Sequence, residues 1–415
     1  MLPDRILSDC IDTLFRTKVS LSQGDLSALK SLSNRTIHNA SVFQDKKSVQ
    51  LAVIIYALSK ILTSRPHLKE QFIHMIDHAH TLLLSSQENA YEQLIEEMAT
   101  TIETFDPNIK LYVEQVLEQA KIKKGSRIYY HGISLGQTAK TVGVSQWELY
   151  DYIGKAHLDE KIAHKENITQ LRKRLAYTRK VLKQKKPIAF VCDTGPIISL
   201  ALNNLLGVLE ELKKRGHIDF LLPKAVNEEL IERPLRSKKY KLEAMQITEL
   251  LRNGTFVMIE KQYLTLKTKE LLALINSTFF AFNKSITLVQ EGEMQAIALA
   301  KLTGSPLLVD ERTTRYLIEN PTRVIRRFEA KLHTRVHVDT KKLAKIKQEL
   351  KGLHTIRSAE LLAALFLDGM FDEKISHLPM ENAKKEYLDA LLWAVKLSGC
   401  GITDNEIRIM VDRLA

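Results

Sequence analysis

From residue 188 onward the chain changes its hydrophobic period. IAFVCD (188–193) is a short strand-type run, apolar up to its last residue. GHIDFLLP (216–223), TFVMIE (255–260) and SPLLVD (305–310) are further short strand candidates, with stretches of helical spacing between them. Strands that alternate with helices predict a parallel sheet covered on both faces, because each crossover returns along the sheet as a helix. The predicted α/β unit spans 188–340, with HTRVHVD (333–339) as a candidate edge strand.

The flanks read as all-α. Apolar residues recur at three- and four-residue spacing in VQLAVIIYALSKIL, FIHMIDHAHTLLL and YEQLIEEMATTIETF, which predicts a helical bundle over 1–125. Residues 341–415 return to helix, with LLAALF and YLDALLWAVKL as apolar stripes. Between the bundle and the sheet lie two further segments. Residues 126–157 carry a helix-turn-helix spacing, and 158–187 form a basic helical linker with ten Lys/Arg against one Glu in KIAHKENITQLRKRLAYTRKVLKQKK.

Apolar residues make up 45% of the chain, which excludes a disordered or low-complexity polymer. No apolar run approaches the ~18 residues of a membrane span; the longest candidate, LAVIIYAL (51–58), is far too short. The start shows no apolar signal core. Cys10, Cys192 and Cys400 are widely spaced, which speaks against a disulfide framework or a zinc ribbon and for a reducing compartment. The expectation is a soluble, cytoplasmic protein without a membrane partner. Its 61 Lys+Arg against 49 Asp+Glu leave a net charge of +12, which favours a polyanionic partner.

Four acidic residues stand at the ends of these elements. Asp193 closes the first strand, and Asp310 closes the fourth; Glu229 and Glu293 fall on the first turns of helices that follow strand or loop. Taken singly, each has a plain structural explanation as a helix cap, a dipole-favoured acid or a turn residue. Taken together they would converge on one edge of a parallel sheet, where such sheets place their ligands. Crowded carboxylates repel unless a cation lies between them, and hard oxygen donors suit Mg²⁺ or Mn²⁺.

The ordered set D-T-G-P (193–196), V-x-x-E-L (226–230), G-E-x-x-A-I-A-L-A (292–300) and L-L-V-D-x-R (307–312) resembles a PIN domain of the long archaeal style, over roughly residues 187–325. The resemblance implies a five-stranded PIN sheet and a nuclease, usually acting on RNA, that hydrolyses phosphodiesters through a water activated by one or two Mg²⁺ or Mn²⁺ ions. It carries the acidic positions over as Asp193, Glu229, Glu293 and Asp310, and the small hydroxyl residue as Thr194. In an alternative register Gln295 takes the third acidic place and leaves a three-acid site. PIN relatives often dimerise, so a homodimer is a further expectation.

In SLGQTAKTVGVSQWELYDYIGK (134–155), Ala139, Gly143, Val144 and Ser145 have the spacing of a helix-turn-helix. Its second helix would present Gln146, Trp147 and Tyr150, with Ser145 just before it, to nucleic acid, although Glu148 and Asp151 oppose phosphate. The neighbouring basic run would grip a backbone through Arg172, Lys173 and Arg174. A second basic stretch, 322–347, follows the acidic segments and is placed to order phosphates beside them. Arg312 is the candidate for neutralising developing charge. His74, His78 and His80 lack the partners of a zinc site, and no phosphate-binding loop or serine-hydrolase motif occurs. The leading expectation is a metal-dependent endoribonuclease, with RNA favoured and DNA possible. The alternative is an inactive or weak PIN scaffold acting as a DNA- or RNA-binding regulator. A toxin of a toxin–antitoxin pair ranks lowest, because helical regions flank both sides.

Overall fold

The computed structural model describes every residue except 1–3, 44–45, 105–106, 157–167, 185–186, 217, 282–283 and 333–334. Parts of the basic linker and the first residues of HTRVHVD therefore lie outside the described residues. Among the described residues eight strands follow in chain order: β1 (Ile188–Cys192), β2 (Ile218–Pro223), β3 (Phe256–Ile259), β4 (Phe279–Ala281), β5 (Lys284–Ser285), β6 (Leu307–Leu308), β7 (His337–Val338) and β8 (Thr355–Ile356).

Five of them build a parallel sheet in the order β3-β2-β1-β6-β8. All four strand candidates of the sequence are in it. The fifth strand was expected from HTRVHVD. Instead β8 supplies it, from the C-terminal region expected to be wholly helical. β7 pairs antiparallel with β4 in a separate three-stranded sheet, where Val338 faces Phe279. The direction of the chain across the sheet reverses between β1 and β6, and such a switch point leaves a crevice at the carboxyl ends of the strands. Asp193 follows β1 at that crevice, and its N–H bonds the carbonyl of Leu308 at 3.0 Å.

The strands are short, but their period of two divides the core. Val191, Leu307 and Val309 belong to one buried cluster, which continues into the N-terminal helices through Ile133, Ile128 and Leu58. Phe190, Cys192 and Leu308 belong to the other, which continues through Trp147 and Tyr150 into the C-terminal helices at Leu392 and Val395. Both faces of the sheet are thus covered, as a parallel sheet requires, and the all-α flanks supply much of the cover.

The basic run holds a helix, Ile168–Leu182, that is not a free linker. It buries Leu171, Arg174, Thr178 and Val181, one stripe at helical spacing. Arg174, expected to grip a nucleic-acid backbone, sits inside an ion network instead. Its Nε pairs with Glu360 at 2.9 Å, and it also reaches Glu319 and Glu406. Arg357 completes the network, donating to Glu406 at 2.8 Å and to the Gly401 carbonyl at 2.8 Å. Arg172 and Lys173 are exposed on the opposite side. Among the described residues no helix is long and apolar enough to cross a membrane.

Candidate active site at the carboxyl ends of the strands

Asp193 occupies the N-cap position of the helix Thr194–Leu202, yet its side chain makes no capping hydrogen bond. The next residue, Thr194, donates its hydroxyl to Glu229 Oε2 at 2.6 Å. Glu229 lies in a single π-turn, Glu228–Glu232, inserted in the helical stretch after β2. Such turns are frequent at functional sites because they re-aim one side chain.

The third acid arrives on the helix Glu291–Thr303. Gln290 caps it, and its N–H donates to Glu293 Oε2 at 2.7 Å. The amide of the same Gln290 side chain donates to Glu229 Oε1 at 3.0 Å. Gly292 makes room for this arrangement: a Cβ there would stand 3.0 and 3.1 Å from the two carboxylate oxygens of Glu229. Gln295, the alternative third position, is committed elsewhere. Its Oε1 accepts the N–H of Ala225 at 3.0 Å, and its amide contacts Glu291.

The fourth expected residue, Asp310, faces donors of its own. Asp310 lies two residues beyond Leu308 and keeps that residue's side of the sheet, toward the C-terminal helices. There it accepts hydrogen bonds from the Ser358 N–H and hydroxyl, both at 2.7 Å, from Ser199 at 3.0 Å and from Cys400 at 3.3 Å. It is fully buried among its own donors. Glu311 takes its place beside the other acids. One of its oxygens caps the helix Arg312–Glu319 through the Thr314 N–H, and the other, Oε1, is buried with no hydrogen-bond partner. The tandem Asp310-Glu311 was the signal in the sequence.

Electrostatics ties these four together. Burial drives the Asp193 carboxyl up to about 7, and the charge of Glu229, followed by that of Glu311, pushes the same way. Burial also raises Glu229 to about 7 against the opposing Thr194 hydroxyl and the Arg233 charge. Glu293 stands well above the usual carboxylate range, from burial first and then from Asp193 and Glu311. Like charges gathered out of water favour protonation or a counter-cation.

Among the described residues, no group of three or more His, Cys, Asp or Glu is already converged to hold a metal ion. The donor set still suits a hydrated divalent cation. Mg²⁺ retains most of its waters and takes only one or two carboxylates directly, and the buried Oε1 of Glu311 lacks a partner. Asp193 and Glu311 fit the direct positions. Glu229 and Glu293, each held by neutral donors, fit a surrounding negative wall.

Residues 189–320 match the family model DUF3368, a PIN domain. PIN domains are typically nucleases and generally use divalent metals such as Mg²⁺. No curated protein and no solved structure matches the chain.

The segment upstream of the PIN domain closes over the acids. The helices Leu135–Val142 and Gln146–Ala156 are joined at Gly143, whose φ of +71° is the left-handed conformation the turn needs. Ser134 donates to Glu293 Oε2 at 2.9 Å, and the Gly136 N–H donates to Glu293 Oε1 at 3.3 Å. The Trp147 indole donates to the Glu229 carbonyl at 3.3 Å. Tyr150 packs so closely that a Cβ on Gly195 would fall 2.0 Å from its hydroxyl. Gln146 and Trp147 are therefore buried against the PIN domain rather than offered to bases, and Ser145 is spent on Glu148. Ser134, Gly136 and Gln290 had no signal in the sequence that could have tied them to the acids.

Of the four acids, Glu229 lines a cleft of about 550 Å³, together with Lys140, Gln146, Lys224, Arg233 and Gln290, among others. Arg312, on the first turn after Glu311, is half-buried.

Proposed function

We propose that the protein is a divalent-metal-dependent endoribonuclease whose chemistry is carried by Asp193, Glu229, Glu293 and Glu311. The observation that supports this reading is that buried carboxylates from four distant segments act on one another's charge, with no basic side chain hydrogen-bonded to any of them among the described residues. Asp193 and Glu311 would hold a Mg²⁺ or Mn²⁺ ion. When bound, the ion supplies Lewis acidity and neutralises charge on the phosphodiester. Thr194 and Gln290 fix Glu229, and Ser134 and Gln290 fix Glu293, so both keep their orientation as a nucleic-acid strand enters. Lys224 in the cleft is paired with Glu260, and Lys140 and Arg233 are suited to a phosphate backbone. The net charge of +12 supports a polyanionic substrate.

Thr194 acts here as an orienting group for Glu229. Arg172 and Lys173, exposed on the basic helix, serve as outlying contacts for the strand. RNA is the favoured substrate.

One observation favours a second reading, a scaffold that binds nucleic acid with little cleavage. The Gln290 amide occupies Glu229 Oε1, and Ser134 with Gly136 occupies Glu293. Incubation of the purified protein with mixed RNA and DNA, in Mn²⁺ or in EDTA, separates the two. Products with Mn²⁺ support the nuclease; shifted complexes without products under every metal condition support the scaffold.

A further inference from the structure

Near Glu311 lies a buried basic group that none of the roles above uses. Arg327, on the helix Thr322–Leu332, is only 7% exposed, and its Nε is buried with no hydrogen-bond partner. It lies against the turn that ends the helix Pro107–Tyr130. A Cβ on Gly132 would come within 3.4 Å of the Arg327 Nε, and the Gly132 φ of +103° already excludes most other residues. The Gly132 carbonyl accepts the Thr313 hydroxyl at 2.9 Å, which fixes this turn to the helix that Glu311 caps. On that same cap, Glu311 Oε1 and the Thr314 hydroxyl are also buried without partners.

The unmet Arg327 Nε and the unmet Glu311 Oε1 thus flank the Gly132–Thr313 contact without bonding each other among the described residues. Glu311 is close enough to favour the guanidinium's charge, while burial and the neighbouring Arg312 oppose it. Unsatisfied buried groups are rare in folded proteins, and one recurring reason is a ligand that satisfies them. The charges restrict what it is. An anion alone would be repelled by Glu311, Asp193 and Glu293. A cation alone would leave Arg327 unmet and repel it. A phosphate group accompanied by a divalent cation answers both.

We propose that Arg327 is a phosphate-binding residue of the candidate active site, and that its guanidinium holds the phosphate whose accompanying cation Glu311 meets through Oε1. This rests on the metal-dependent reading above and adds to it a residue from the second basic stretch. Arginine suits the task because its planar fork binds two phosphate oxygens at once, which a lysine ammonium cannot do.

The test uses the full chain and binding rather than turnover. Mn²⁺ binding is followed by electron paramagnetic resonance, and inorganic phosphate is titrated by calorimetry at saturating Mn²⁺. Arg327→Gln is expected to bind Mn²⁺ like the unaltered protein and to bind phosphate about tenfold or more weakly. If the glutamine variant does not fold, Arg327→Lys replaces it, with Mn²⁺ binding kept and phosphate weakened several-fold. Phosphate affinity that is unchanged in the variant overturns the assignment of Arg327. Absence of Mn²⁺ binding by the unaltered protein overturns the metal-dependent reading itself, so the two failures are distinguishable.

Discussion

Asp310 and Glu311 are adjacent in the chain and face opposite partners. Asp310 is enclosed by Ser199, Ser358 and Cys400, whereas Glu311 keeps a buried oxygen without a partner among the described residues and acts on the charge of Asp193 and Glu293. Their substitutions should therefore separate stability from chemistry. Asp310→Asn removes a fully bonded buried acceptor and should lower stability by about 1–3 kcal/mol. Glu311→Gln should leave the melting temperature nearly unchanged and reduce RNA cleavage about a hundredfold or more. Paired melting and cleavage assays on the two variants check this.

Gly292 should be sensitive to a single methyl group. The Cβ of Gly292→Ala would press on both oxygens of Glu229, at 3.0 and 3.1 Å. The helix start tolerates alanine, so the fold should persist while the carboxylate moves. Small displacements at a reacting centre are costly, and a loss of cleavage of about tenfold or more is expected in a single-turnover assay.

The helix Gln146–Ala156 acts here as part of the core. Trp147 is 1% exposed and hydrogen-bonded to the Glu229 backbone. Trp147→Ala should cost about 3–5 kcal/mol by denaturant unfolding, the range for a large buried aromatic. Gln146→Ala should leave any sequence preference for duplex DNA unchanged in a gel-shift assay, because the side chain faces the PIN domain.

The ion network around Glu360 gives the protein an acid-side weakness. Burial works against the Glu360 charge, but the Arg357 and Arg174 guanidiniums outweigh it and hold the carboxyl well below the usual range. With the folded pKa depressed, the unfolded chain binds the extra proton first as pH falls. The stabilisation is thus complete above the free glutamate value of about 4.3 and lost progressively below it. Circular dichroism across that range should show acid unfolding. Arg174→Gln should cost about 3–5 kcal/mol at neutral pH, since it leaves buried acids short of a partner. Arg172→Gln and Lys173→Gln, at exposed positions, should melt like the unaltered protein.

Much of this architecture was legible in the sequence. Strands that end in an acid, such as IAFVCD and SPLLVD, carry both the parallel sheet and its functional edge in a local pattern. The helical setting of Glu229 and Glu293 was readable as well, although Glu229 falls in a π-turn rather than on a first helical turn. What local pattern does not contain is which way a residue turns once its strand has ended, and so it does not tell Asp310 from Glu311. Nor does it contain the donors that come from far away: Ser134 meets Glu293 across 159 residues of chain. The helix-turn-helix spacing predicted two helices and a glycine turn, and both are present. The surface they cover depends on tertiary packing. Arg174 was hidden by its basic neighbours, although its spacing from Leu171, Thr178 and Val181 already marked a buried stripe.

The central claim is that the buried acids work only through a bound cation. Cleavage of labelled RNA by the unaltered protein and by Asp193→Asn, each with Mn²⁺ and with EDTA, tests it most directly. Products from the unaltered protein with Mn²⁺ alone are expected. Equal products from Asp193→Asn, or products that persist in EDTA, would contradict the account.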